Sequence, residues 1–96
     1  MPLSRNILKA KARGFTIAIE KMTEKQRLST ATGDFGEDYN RLRSLVLGQY
    51  PDLGPALPPA VTVYRGQSGE TYTQQSFGEI DTYSEQIFQI LSSSEE

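Results

Sequence analysis

Apolar residues in the first part of the chain recur at the spacing of an amphipathic helix. Over residues 4–29 they gather on one helical face, and five of them follow alternating steps of four and three residues, typical of helix-on-helix packing. The face comprises Ile7, Leu8, Ala12, Phe15, Ala18, Ile19 and Met22, and the stepped seam is Leu8, Ala12, Phe15, Ile19 and Met22. We therefore predict a helix that begins after an N-cap at Ser4.

Two features leave alternatives open within this helix. Gly14 costs about 1 kcal/mol in a helix interior, and apolar residues alternate over residues 14–20, so this stretch could also form a short strand. Thr23 and Gln26 have the spacing of a capping box, which would restart the helix at that point. The periodic pattern continues on both sides of residues 14–20 and favours a helix there.

A second amphipathic helix follows a polar loop over residues 29–36. Asp34 and Glu37 have the spacing of a capping arrangement at its start, and Pro51 ends it because the residue before a proline avoids helical geometry. The apolar face of this helix comprises Phe35, Tyr39, Leu42, Leu45 and Val46. Two such helices joined by a short loop predict an antiparallel helical hairpin over residues 4–49.

A proline-rich segment separates this hairpin from a small β element. Residues 51–59 hold four of the five prolines, which indicates an extended connector rather than a helix. Residues 60–65 are rich in β-formers, residues 66–70 have the composition of a turn, and residues 71–75 could return as a second strand. The pattern predicts a β-hairpin that leans on the helices.

The last element of the sequence is a short helix. Thr82 and Glu85 fit a capping box that opens a helix of about ten residues, and we expect residues 92–96 to be disordered. Residues 1–96 are too few for two domains, since domains rarely have fewer than about 50 residues. The sequence therefore predicts one mainly α domain in which residues 60–91 supply a minor β part and the last helix.

The residue types that are missing exclude several kinds of chemistry. The chain has no cysteine and no histidine, which removes disulfides, thiolate metal sites, cysteine nucleophiles and the commonest general base. Glu79 and Asp81 are the best candidates in the second half for a catalytic carboxylate pair, but acids at a helix start account for them more simply. We expect no enzyme activity, no catalytic residue, no metal and no cofactor.

Charge is divided unevenly along the chain, although the net charge is only −2. Residues 1–30 hold seven basic side chains against two acidic ones, and residues 51–96 hold one arginine against seven acidic side chains. A basic face opposite the apolar seam would suit a polyanion, so nucleic-acid binding is the alternative function. The residues of that alternative are Arg5, Lys9, Arg13 and Arg27.

The function that we favour from the sequence is binding of another protein. The two amphipathic helices present more apolar face than one short chain can cover, which predicts a small adaptor, regulatory or assembly factor that also forms a two-fold homodimer. The predicted interface comprises Leu8, Ala12, Phe15, Ile19, Met22, Tyr39 and Leu42. No apolar stretch approaches the ~20 residues of a membrane span, and no secretory leader is evident, so we expect no membrane partner and a cytoplasmic location.

Overall fold

A computed structural model describes residues 4–93 and contains, within them, four α-helices, a 3₁₀ helix and a three-stranded antiparallel sheet. The α-helices are α1 (Arg5–Glu20), α2 (Glu24–Leu28), α3 (Gly33–Gln49) and α4 (Phe77–Ser93). The 3₁₀ helix is Pro51–Ala56, and the strands are β1 (Thr30–Thr32), β2 (Val63–Arg65) and β3 (Thr71–Ser76). The expected mainly α fold with a minor β part is confirmed.

The first helix forms where the apolar periodicity places it. The Ser4 hydroxyl accepts a hydrogen bond from the Ile7 N–H at 3.2 Å, and residues 14–20 are helical rather than extended. Thr23 and Gln26 form the expected capping box, which starts α2 after a break. The capping chemistry therefore divides the predicted long helix into two.

The predicted polar loop over residues 29–36 is wrong, because a strand and a helix start lie there. Thr30–Thr32 forms β1, and the Thr32 hydroxyl accepts a hydrogen bond from the Phe35 N–H at 3.2 Å. Thr32 therefore caps α3 two residues before Asp34, the predicted cap. A Cβ on Gly33 would overlap the Thr71 side chain, so this glycine lets α3 begin against the sheet.

The predicted extended connector over residues 51–59 is also wrong in its first part. Pro51 stands in the first turn of a 3₁₀ helix, where its missing N–H costs no hydrogen bond. The Leu53 and Leu57 N–H groups donate to the Tyr50 and Gly54 carbonyls at 2.9 and 3.2 Å. Only the residues after Ala56 continue as extended chain.

The β-hairpin is confirmed, and the structure adds a strand. β2 and β3 pair in antiparallel fashion with Tyr64 opposite Tyr72, and Gly69 supplies the positive φ of the turn between them. β1 pairs with the other edge of β3, so the strand order is β1-β3-β2. β3 is therefore the central strand.

Helix α4 begins six residues earlier than the sequence predicts, with its cap at Ser76 instead of Thr82. The Glu79 N–H donates to the Ser76 hydroxyl at 3.1 Å, while the Ser76 N–H donates to a Glu79 carboxylate oxygen at 3.2 Å. This reciprocal cap starts the helix directly after β3. The Thr82 hydroxyl, which was the predicted cap, donates to the Gly78 carbonyl inside the helix. Residues 92 and 93 end the helix, contrary to the predicted disorder, and residues 94–96 lie outside the described part.

Helix α1 lies between two partners. Phe15 contacts Phe35 and Tyr39 of α3, with ring centroids 5.3 and 6.4 Å apart. Arg5, at the start of α1, lies over the ring of Tyr50, which follows α3. The two helices therefore run antiparallel, as the hairpin prediction requires. The more extensive contact of α1 is with α4, which the sequence did not predict. The first and last helices of the described residues therefore pack against each other.

Candidate docking surface

The residues predicted as a partner interface form the core of the chain itself. We call Leu8, Ala12, Phe15, Ile19 and Met22 the inner seam of α1. Leu8, Ala12, Ile19 and, on α3, Tyr39 and Leu42 are buried, and Phe15 and Met22 are half-buried against the same core. The structure thus brings all seven residues together, but five of them are buried and expose little or no surface to a partner.

Helix α1 carries a second apolar row on the side away from the core. Ile7, Ala10, Gly14 and Ile17, the outer seam, follow steps of three, four and three residues and are all exposed. Ile7 and Ile17 are 46% and 44% exposed, so this row places two large apolar side chains in contact with water. Ala18 is exposed beside them, so Ile7 and Ala18 do not belong to the buried face on which the sequence analysis placed them.

A groove between α1 and α3 adjoins the outer seam. It consists of two neighbouring depressions of about 240 and 260 Å³. Its apolar residues are Gly14, Phe15, Phe35, Leu42 and Leu45, and its polar residues are Lys11, Asp38 and Arg41. Leu45 is 38% exposed at its rim, so the apolar character continues from α1 onto α3.

Gly14 joins the outer seam to the groove and leaves a gap in the surface. A Cβ built on Gly14 meets no described atom within 4 Å, so nothing in the described chain requires a glycine there. Glycine in a helix interior destabilises it by about 1 kcal/mol relative to alanine. The site therefore combines a helix backbone that can be approached closely with apolar side chains on both sides of it.

The charges around this surface are mainly basic on α1. Lys11 and Lys21 are exposed beside the outer seam, while Arg41 and Asp38 of α3 form an exposed ion pair at 3.2 Å that neutralises itself. Glu20 is the one acidic residue within α1, and the exposed Arg13 lies on its side of the helix. The α1 side of the surface is therefore apolar with a positive edge.

The basic residues of the nucleic-acid alternative do not form a face opposite the apolar seam. Arg5 donates to the Leu91 carbonyl at 2.9 Å and stacks 4.4 Å from the Tyr50 ring centroid. Lys9 and Arg13 lie over the Phe88 ring of α4, at 5.4 and 4.5 Å from its centroid.

Arg27, the fourth basic residue of that alternative, acts at a helix end. Its guanidinium donates to the Glu20 carbonyl at 2.9 Å, which helps to close the C-terminus of α1. All four residues thus have contacts within the chain, and three of them lie along the α1–α4 seam. The sequence missed this because α4, rather than solvent, lies beside them.

The described residues include few features that suggest catalysis or metal binding. Burial raises the pKa of the Tyr39 hydroxyl well above its ordinary value, although the nearby Arg43 opposes the shift, and this hydroxyl donates to the Pro59 carbonyl at 2.9 Å. Acidic side chains in the described part do not gather in the groups of three or more that a metal ion would need. An open depression of about 550 Å³ against α4 is lined by the polar side chains of Thr82, Glu85, Gln86 and Gln89 and by the apolar Ala56 and Ile90.

The outer seam could have been found from the sequence, because its three-four-three spacing is as regular as that of the inner seam.

Within residues 4–93, none of the helices has both the length and the apolar character that a membrane crossing requires. Comparisons of the chain with known protein families, with curated proteins and with solved structures found no match.

Proposed function

We propose that this chain is a small, non-catalytic protein-binding factor of the adaptor, regulatory or assembly type. Its docking surface consists of the outer seam together with the α1–α3 groove. The observation that carries the proposal is that α1 is apolar on two faces while the described chain covers only one of them. A surface helix normally presents charged or polar residues opposite its apolar stripe, and an uncovered apolar face marks an interaction site.

Composition supports the non-catalytic part of the proposal. The chain lacks histidine and cysteine, and Tyr39, whose pKa is strongly raised, is held in a hydrogen bond that fixes the fold. Nucleic-acid binding remains the alternative function, but the contacts of Arg5, Lys9, Arg13 and Arg27 with the rest of the chain give it no added support.

Homodimer formation is the alternative to docking of a different protein, and it would have to use the docking surface rather than the inner seam. A dimer through Leu8 or Ile19 would require α1 to leave α4, because both side chains are buried. We also propose that the protein acts in the cytoplasm, and cell fractionation tests that location.

Site-specific cross-linking tests the proposed function. A photoreactive amino acid replaces Ala18, beside the outer seam, and in a matched control it replaces Gln86, which is exposed on α4. We expect one discrete adduct from position 18 in the native cell, absent from position 86 and lost when Ile17→Glu is added. Equal adducts from both positions, or none from position 18, would count against the proposal.

A circular dichroism spectrum accompanies each variant. Ile17 is already 44% exposed, so Ile17→Glu should leave helix content unchanged. The mass of a position-18 adduct also distinguishes a second copy of this chain from a different protein.

A further inference from the structure

We infer that the occupant of the docking surface is an amphipathic α-helix of another protein, with acidic residues beside its apolar seam. This inference rests on the proposed function and adds the chemistry of the partner. It follows from the shape of the surface and from the sign of the charge around it.

The shape fits a helix. The outer seam follows the three-four-three spacing at which one helix packs into another. Ile7 and Ile17 are ten residues apart, which is about 15 Å along the axis, or nearly three helical turns. A partner helix of about 12 residues would therefore cover both isoleucines.

Gly14 lies between these two side chains and sets the closest approach. Interaxial distances between packed helices depend on the side chains at the contact, and Gly14 has no side chain, while a Cβ built there meets no described atom within 4 Å. The adjoining groove, with Phe15 at its floor and Leu45 at its rim, receives the flank of the partner helix.

The charge selects an acidic partner. Lys11 lies beside the outer seam and Lys21 follows it four residues after Ile17. Asp38 of the groove is already paired with Arg41. Acidic residues beside the apolar seam of the partner helix would face these lysines. Complementary charge sets the orientation of the two proteins and accelerates their association.

The basic residues beside the outer seam disfavour two other occupants. A second copy that paired its α1 with this α1 would bring basic helices together. An anionic membrane would match the charge but not the concave groove between α1 and α3.

Two helical peptides, stapled so that each is helical before binding, test the inference against the full chain. Both peptides carry the same row of leucines and alanines on one face. The glutamate peptide has glutamates beside this row, and the lysine peptide has lysines there. By fluorescence anisotropy at 50 mM salt, we expect the glutamate peptide to bind at least tenfold more tightly than the lysine peptide. Its affinity should fall as salt rises, because the attraction is between partly exposed charges.

Variants of the chain show whether the peptide binds at the stated place. A Cβ on Gly14 meets no described atom within 4 Å, so Gly14→Met should fill the gap without disturbing the fold and should abolish binding. Lys11→Glu combined with Lys21→Glu should reverse the preference between the peptides. Lys25→Glu, an exposed lysine on α2, is the matched control and should leave the preference unchanged.

The outcomes separate this inference from the proposed function. Equal or tighter binding of the lysine peptide overturns the acidic partner while leaving helix docking intact. If neither peptide binds, the helical partner is wrong, and the cross-link from position 18 decides separately whether any protein docks there. A mass in solution that is twice that of the chain, and that Gly14→Met halves, overturns the inference in favour of a second copy. Binding to vesicles with 30% phosphatidylserine that Gly14→Met abolishes overturns it in favour of a membrane.

Discussion

The side chain of Asn40 pairs with the backbone of Val61 as a second strand would. Asn40 Nδ2 donates to the Val61 carbonyl at 2.7 Å, and Asn40 Oδ1 accepts from the Val61 N–H at 2.9 Å. On the same helix, Arg43 Nε donates to the Pro58 carbonyl at 2.7 Å. Helix α3 thus holds the extended chain that leads from the 3₁₀ helix into β2, and it supplies partners for backbone groups that no strand reaches.

Substitution of Asn40 should therefore destabilise the whole chain. Asn40→Ala leaves the partly buried N–H and carbonyl of Val61 without these partners, and we expect the free energy of unfolding to fall by about 2–3 kcal/mol. Urea unfolding measures the change. Gln74→Ala, at an exposed position of β3, is the control, with an expected change below about 0.5 kcal/mol. Equal effects of the two substitutions would mean that the Asn40 contacts do not hold the segment.

The buried hydroxyl of Tyr39 should make stability depend on alkaline pH. Burial raises its pKa in the folded chain above the ordinary value of about 10. The stabilisation from the neutral hydroxyl is therefore complete below pH 10. It is lost as pH rises further, because the unfolded chain then ionises this tyrosine and the folded chain does not.

Tyr39→Phe removes that dependence together with the hydrogen bond to Pro59. At pH 7 the variant should be about 1 kcal/mol less stable than the natural chain, and the deficit should shrink between pH 10 and 11.5. Denaturant midpoints of both proteins across that range measure the difference. A deficit that stays constant up to pH 11.5 would contradict the assignment.

Local patterns explain which parts of this fold could be predicted from the sequence. The apolar spacing of α1 and the alternation around Val63 are properties of short stretches, and both predicted the right element. Thr30–Thr32 has no such pattern, since it becomes a strand only when β3 lies beside it. The 3₁₀ helix at Pro51 likewise depends on the Tyr50 carbonyl at the end of α3.

The docking surface shows the limit of the same reasoning. Periodicity identified an apolar face on α1 but merged Ile7 with Leu8, although the first is exposed and the second buried. Which row turns inward is decided by contact with α4, some 70 residues away in sequence. Long-range packing, rather than local preference, therefore separates the core of this chain from its candidate site.

Two glycines of α3 should respond in opposite ways to alanine. A Cβ on Gly36 would lie 2.5 Å from Thr73 Cγ2 and 3.1 Å from Val61 Cγ2, so Gly36→Ala should destabilise the chain by about 1–3 kcal/mol. A Cβ on Gly48 meets no described atom within 4 Å, and Gly48→Ala should stabilise the chain by about 0.5–1 kcal/mol. Thermal unfolding of both variants tests the contrast, and a loss of stability in Gly48→Ala would contradict it.

The first helix should control the stability of the last turn of α4. That turn has no basic residue of its own, and the Arg5 guanidinium binds the Leu91 carbonyl at 2.9 Å, where the helix dipole favours a cation. Arg5→Met retains much of the aliphatic packing but loses this hydrogen bond and the stacking on Tyr50. We expect about 1 kcal/mol lower stability and faster amide hydrogen exchange at Ile90 and Leu91. Lys25→Met, which removes an exposed charge from α2, is the control; unchanged exchange in Arg5→Met would show that α4 ends stably without α1.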